Sequence, residues 1–257
     1  MGDYDSFVAK FYTATGIDLT QYRQSQMERR LTTLRDRRGY TNFTHYLEAA
    51  LHDADLMAEL MDRLTINVSS FYRNPERWQS FGALIAKNRE QNGVLRAWSA
   101  ACSTGQEPYT MAMVFSEFMT LSQMEILATD IDPHALRVGQ LGIYHSDDLL
   151  TIPAPMRGRF IHTLDPSQGR FSDDVRARIS FKLHNLLSDD FPNHLDVVVC
   201  RNVFIYFTDD AKEKLYYKFS ESLRPGGILF VGSTEQIFHS ETYGLTQIAP
   251  FFYTKIG

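Results

Sequence analysis

Cysteine is scarce in this chain. Cys102 and Cys200 are the only two, and neither sits in a C-x-x-C pair, which excludes both a disulfide framework and a cysteine zinc site. Long apolar runs are missing as well: nothing approaches the ~18 residues that a bilayer span needs. The N-terminus, Met1-Gly-Asp-Tyr-Asp, is acidic where a secretory signal is basic and then apolar, so a soluble cytoplasmic protein is expected. There is no excess of positive charge either. With Lys+Arg 26 against Asp+Glu 31, the net charge of -5 argues against general nucleic-acid binding but leaves local patches open. The eight histidines show no metal-ligand spacing. A length of 257 residues with 44% hydrophobic residues is enough for one substantial core and a second small one.

Residues 1–65 read as helices punctuated by glycine. Phe7, Phe11 and Tyr12 precede Gly16, and Met27, Leu31 and Leu34 precede Gly39, each at helical spacing with glycine in the C-cap position. Thr41 and Asn42 open a third helix, and Leu56, Leu60 and Leu64 mark a fourth. The second helix carries a run of arginines, Arg23, Arg29, Arg30, Arg35, Arg37 and Arg38, against only Glu28 and Asp36. A solvated helix face is one reading, and a docking face for an acidic partner is the other. Residues 66–92 then form a connector and a helix. Asn74-Pro75-Glu76 is a helix start, and the polar and aromatic residues before it, Ser69, Phe71, Tyr72 and Arg73 among them, suit a cover over a ligand.

From residue 93 strands and helices alternate, which is βαβ logic and predicts a doubly wound α/β sheet. Strands are expected at residues 94–100, 125–130, 195–200, 228–231 and 251–255. Helices are expected at 108–119, from Pro133, and at 208–223. Residues 144–181 interrupt the pattern with Pro153, Pro155 and two short strand signals near 160–164 and 178–182, read as an inserted antiparallel β subdomain.

The stretch V-L-R-A-W-S-A-A-C-S-T-G-Q-E-P at residues 94–108 is strand, tight loop and helix start. In such a sheet the ligand lies at the carboxyl ends of the central strands. The loop has Gly105 alone and lacks G-x-G-x-x-G, so a pyrophosphate-binding dinucleotide site is not encoded. S-adenosylmethionine needs less. Asp130, at the end of the second strand, is placed to accept ribose hydroxyls, Arg73 to pair with the cofactor carboxylate, and Glu107 to face its ammonium or sulfonium.

Four runs carry a specific likeness: N-V-S-S-F-Y-R at 67–73, W-S-A-A-C-S-T-G-Q-E-P at 98–108, A-T-D-I-D at 128–132 and C-R-N-V-F-I-Y-F at 200–207, with G-S-T-E at 232–235. Together they resemble the chemotaxis receptor methyltransferases, the CheR family, over essentially the whole chain. The family often has Thr where Ser69 stands and Glu where Gln106 stands. The resemblance implies the fold of a class I S-adenosylmethionine-dependent methyltransferase behind a small all-helical N-terminal domain. It implies methyl transfer to glutamate side chains of chemoreceptors, at their cytoplasmic helical region, leaving S-adenosylhomocysteine. It also implies cofactor contacts from Asn67, Ser69, Arg73, Glu107, Asp130, Asn185, Leu186, Asn202 and Val203. The arginines from Arg23 to Arg38 then become a receptor-docking face. The enzyme would be recruited to a membrane receptor without inserting in the membrane.

A glutamate nucleophile with a pKa near ~4.3 is ionised at neutral pH, so no general base is required and none is apparent. Tyr206 is the candidate to orient the incoming carboxylate, with Arg73 to offset its charge. An aromatic packed beneath the sheet end is the alternative for Tyr206. Two rival functions remain. An N-methyltransferase of nucleic acids would carry an Asn/Asp-Pro-Pro-aromatic motif where this chain has Arg201-Asn-Val-Phe; a non-enzymatic cofactor sensor would form no methylated product. Cys200 follows Val199 where cytosine C5 chemistry would have a proline, so reduced buried thiols are expected at Cys102 and Cys200.

Overall fold

Glycine ends the first helix as its sequence demands. α1 (Asp3–Thr15) stops at Gly16, whose φ of 73° is the left-handed value a side chain resists. α2 (Gln24–Arg37), α3 (Phe43–His52) and α4 (Ala54–Thr65) follow, and the Asn42 side chain caps α3 by accepting from His45 N at 2.8 Å. Their apolar stripes, Phe7 and Phe11, Met27 and Leu31, Tyr46 and Leu47, and Leu60, are all buried. The structure is a computed structural model that describes residues 2–65, 69–88 and 93–257. It divides into two compact units, one of residues 2–65 with Phe204–Leu215, the other of residues 69–88, 93–203 and 216–257.

In the second unit α5 (Pro75–Asn88) leads to β1 (Leu95–Ala100), α6 (Gln106–Phe115), β2 (Met124–Asp130) and α7 (Pro133–Leu141). An insertion follows: β3 (Ile143–His145), α8 (Ser146–Leu149), α9 (Ala154–Phe160), β4 (Ile161–Asp165), β5 (Gln168–Phe171) and α10 (Asp173–Arg176). The main sheet resumes with β6 (Ile179–Leu183) and β7 (Leu195–Cys200). α11 (Asp209–Ser222), β8 (Leu223–Val231), β9 (Leu245–Ala249) and β10 (Phe252–Lys255) complete the chain, and the division between the units falls within α11.

Among the described residues the main sheet has seven strands in the order β6-β2-β1-β7-β8-β10-β9. β6, β2, β1, β7 and β8 run parallel, and β10 and β9 close the edge antiparallel. The chain leaves β1 to one side and returns to its other side at β7, so the carboxyl ends of β1 and β7 flank the switch point where such sheets bind ligands. One sheet face is packed with aromatic rings from α5, β8 and β10: Phe81 and Phe230 lie 5.3 Å apart, Phe230 and Phe252 4.4 Å. This is a doubly wound α/β sheet, as the resemblance implies, with an all-helical N-terminal part and an inserted antiparallel sheet in the order β3-β5-β4.

The structure departs from the sequence reading at several points. The strand expected near residues 178–182 is present as β6, but it pairs in parallel with β2, from Ile126↔Ile179 to Asp130↔Leu183, and belongs to the main sheet, so the antiparallel strands end at Phe171. As an edge strand it is only partly covered, and alternating exposure on such a strand looks the same in sequence as that of a hairpin. β3, β5 and β9 were not anticipated; β3 and β5 are only three and four residues long, and in β9 Thr246, Gln247 and Ile248 are exposed and carry no apolar alternation. α6 starts at Gln106, not Pro108, since proline within a first turn surrenders an N–H that has no helical acceptor anyway.

Candidate cofactor-binding and active site

β1 ends in a loop whose backbone is bent three times into the left-handed region, at Ala101 (φ 66°), Ser103 (φ 50°) and Gly105 (φ 95°). At Gly105 there is no room for a side chain: a Cβ would meet Tyr144 Oη at 2.8 Å and Gly139 Cα at 2.9 Å. The Tyr144 hydroxyl donates to Thr104 O at 2.7 Å and locks the turn from the insertion side. Gly105→Ala is therefore expected to cost both strain and a clash, ~2 kcal/mol or more. A thermal unfolding scan should show this as a clearly lower midpoint.

The two carboxylates at the ends of β2 divide their work. Asp132 caps α7, accepting from His134 N at 2.8 Å and Ala135 N at 3.3 Å. Asp130, which is not needed for the cap, is buried and faces the β1 loop: Oδ2 accepts from Ser103 N at 2.7 Å and Oδ1 from Asp132 N at 3.0 Å. Burial pushes its carboxyl up to about 6, although those N–H groups pull it back. Each oxygen retains a lone pair, which suits a vicinal diol.

Glu107, in the first turn of α6, is the second carboxylate beside this loop, its side chain 13% exposed. Oε1 accepts from Ser99 Oγ at 2.8 Å, and Oε2 lies 3.8 Å from Arg201 Nη1, beyond hydrogen-bond reach. Burial pushes the Glu107 carboxyl up to about 7, and burial also lowers the Arg201 guanidinium from its ordinary value. Both partners are displaced toward their neutral forms, so desolvation outweighs their attraction. An under-compensated buried carboxylate of this kind fits a ligand that brings a positive charge.

Arg201, at the end of β7, organises the surroundings of Glu107. Its Nη2 donates to Arg73 O at 3.0 Å and Asn74 Oδ1 at 2.9 Å, and its guanidinium lies over the rings of Phe230 (4.8 Å) and Trp78 (5.2 Å). It fixes the turn before α5, and the Asn74 side-chain oxygen expected to start that helix is held by Arg201. Arg201 was placed at a strand end from sequence but assigned no role. Its one signal was a guanidinium directly after the apolar run V-V-V-C, where an unpaired cation would be prohibitive. Glu235 was missed too: its buried Oε2 accepts from Asn202 N at 2.7 Å and Gly232 N at 2.9 Å, tying together the ends of β7 and β8.

Of the other candidates in this unit, Ser69 is half-buried and Arg73 exposed just before α5. Asn185 lies beyond β6, whose Leu183 pairs with Asp130. Its Oδ1 accepts from Leu187 N at 3.0 Å, and Leu186 beside it is buried. Asn202 (φ 61°) and Val203 follow Arg201. Asn67 lies outside the described residues. Both cysteines are free and buried, and burial raises each thiol well above its ordinary value, which disqualifies them as nucleophiles.

Tyr206 and the arginines belong to the other unit. The 204–209 segment is fastened there to the start of α2: Arg23 N donates to Tyr206 O at 2.8 Å, Thr208 N to Gln21 O at 2.9 Å, and Tyr22 bridges to Phe207. Arg30 lies over the Tyr206 ring at 4.8 Å, and Arg23 reaches Asp209 at 3.5 Å. Arg35 pairs with Asp36 and stacks on Phe43, while Arg37 and Arg38 both bind Glu59 of α4, whose carboxyl they hold below its ordinary value. Much of the basic surplus is thus spent inside the unit, whereas Arg29 is exposed.

Two family models cover the chain: the CheR methyltransferase all-alpha domain matches residues 2–65, and the CheR methyltransferase SAM binding domain matches residues 67–250. A chemotaxis protein methyltransferase of Listeria monocytogenes is 38% identical over 98% of this chain and 97% of its own length. Those of Borreliella burgdorferi (30% identical, 95% of this chain, 90% of theirs) and Escherichia coli K12 (31%, 90% and 82%) are similar along nearly the same span. With both domains of the family matched and Asp130 and Glu107 set around the loop after β1, the chain belongs to the CheR methyltransferases, whose methyl donor is S-adenosylmethionine.

Proposed function

We propose that this protein methylates glutamate side-chain carboxylates of chemoreceptors, forming methyl esters for sensory adaptation and leaving S-adenosylhomocysteine. The observation that carries the reading is the pair of carboxylates, buried Asp130 and largely buried Glu107, around a loop with a single glycine in a chain of this family. When bound, the cofactor supplies an electrophilic methyl group on a sulfonium. The chain's own residues bind and align. Asp130 accepts the ribose hydroxyls; Glu107 faces the ammonium or sulfonium; Arg73 pairs with a carboxylate; Ser69, Asn185, Leu186, Asn202 and Val203, with Asn67, line the remaining contacts. The nucleophile arrives ionised, so catalysis consists of holding a carboxylate oxygen in line, an effect worth roughly 7–11 kcal/mol in favourable systems. Tyr206 donates a hydrogen bond to that carboxylate, and Arg73 offsets its charge.

The substrate is the cytoplasmic helical region of a membrane receptor, which the enzyme reaches from the cytoplasm by recruitment. Among the described residues no helix is long and apolar enough to cross a membrane, in keeping with that route. The arginines of α2 form the docking face, with Arg29 the freest to meet an acidic partner. Arg29→Glu is expected to slow receptor methylation about threefold to tenfold at low salt, with the deficit shrinking as salt rises and cofactor affinity unchanged.

Radiolabelled methyl transfer to a receptor cytoplasmic fragment tests the reaction. Label released by alkali as volatile methanol is expected, since a glutamate methyl ester hydrolyses. Label that survives alkali would mean a methylated amine, and absence of labelled product would mean a cofactor-binding module; either outcome overturns the proposal.

A further inference from the structure

The helical unit does more with its arginines than display them. Arg30 projects from α2 onto the ring of Tyr206, its guanidinium carbon 4.8 Å from the ring centroid. Its Nη1 is buried without a hydrogen-bond partner in a side chain that is otherwise half-buried, so packing on the ring is the contact that holds this end of the guanidinium. Two turns earlier, at the N-cap of α2, Arg23 grips the same segment, with its backbone N–H on Tyr206 O, its Nε on Phe207 O at 3.3 Å and its guanidinium 3.5 Å from Asp209. The Tyr22 and Phe207 rings, 5.1 Å apart and edge-on, fill the gap. Tyr206 itself is half-buried in a single 3-10 turn, Phe204–Tyr206, which has little rigidity of its own. Its orientation is therefore set by α2.

We propose that Arg30 is a positioning residue: it fixes the Tyr206 ring, and so aims the hydroxyl at the substrate carboxylate. This rests on the reading of Tyr206 given above. The α2 arginines then fall into two groups by task. Arg29 is available to a partner, while Arg23 and Arg30 hold the tyrosine turn, so the helix that meets the receptor is the same rigid element that orients the tyrosine. A cation packed over a half-buried ring biases that ring toward the orientation that keeps the contact.

A double-mutant cycle with Arg30→Met and Tyr206→Phe, assayed on the receptor fragment, separates the possibilities. Arg30→Met is expected to lower kcat about 5- to 30-fold while KM for the receptor and Kd for S-adenosylmethionine stay within about twofold, and to have no further effect in the Tyr206→Phe background. Arg30→Lys, which keeps the cation, should recover most of the lost kcat. If Arg30→Met does not fold, as judged by circular dichroism, the same cycle is run with Arg30→Lys, whose smaller deficit should likewise vanish in the phenylalanine background. A loss confined to KM, sensitive to salt and equal in both backgrounds, would make Arg30 a docking residue and overturn the proposal. If Tyr206→Phe alone left kcat unchanged, the role of Tyr206 would fall and this inference with it. If Tyr206→Phe lowered kcat and Arg30→Met added its full effect on top, only the positioning role would fall.

Discussion

Arg201→Met is expected to lower the unfolding temperature of the cofactor-free enzyme by roughly 10 °C at pH 8 and by much less at pH 6. Removing one partner of a buried ion pair typically costs about 3–5 kcal/mol, because the remaining charge is left without compensation. Here the remaining charge is Glu107, whose carboxyl already sits near 7 with Arg201 only 3.8 Å away and would rise further without it. At pH 6 Glu107 is largely protonated in the variant, and the penalty recedes. At pH 8 the variant must either bind a proton or bury an uncompensated carboxylate. The turn before α5 also loses two hydrogen bonds, on Arg73 O and Asn74 Oδ1, and this part of the loss is independent of pH. Differential scanning calorimetry at both pH values, on Arg201→Met and on Arg201→Met combined with Glu107→Gln, checks the argument. The double variant should be more stable than the single one at pH 8. Equal destabilisation at the two pH values would show that Glu107 plays no part.

Glu107→Gln is expected to weaken S-adenosylmethionine binding about 10- to 100-fold at pH 8, the loss of one charge-assisted contact, and less at pH 6. In the wild type the ordinary carboxyl value of 4.5 is raised to about 7 by burial. The protonated form is thus favoured by the fold: the stability this group contributes is complete below about 4.5 and is lost as pH rises through 7. Asp130, raised from 3.8 to about 6, acts in the same direction over a lower window. A positively charged ligand reverses the preference at Glu107 by stabilising the ionised form, so wild-type affinity should increase between pH 6 and 8 and binding near pH 7 should release protons. Isothermal titration calorimetry in two buffers of different ionisation enthalpy measures that release. In Glu107→Gln it should disappear and the pH dependence should flatten. A release that persisted in the variant would assign the titrating group elsewhere.

Much of this was legible in advance where a residue answers to its immediate neighbours. Gly16 ends α1, Asn42 caps α3 and Asp132 with Pro133 starts α7, because caps are local chemistry and a few residues suffice to state them. The reasoning that only one of Asp130 and Asp132 is needed as a cap left Asp130 over, and the structure turns it toward the β1 loop. β6 was assigned to the wrong sheet because residue alternation reports how a strand is covered and says nothing of which strand lies beside it.

By itself the sequence determined the order of the N-terminal helices and of the parallel strands with their helices, the single-glycine loop and the acidic residues at the ends of β1 and β2, since these are set by backbone preference and side-chain periodicity within short windows. Only the tertiary structure decided that Glu107 faces Arg201, that Glu235 ties together the ends of β7 and β8, and that Arg30 rests on Tyr206. Those pairs are separated by 94, 33 and 176 positions, and their energy comes from desolvation and close packing, which exist only once distant segments have met.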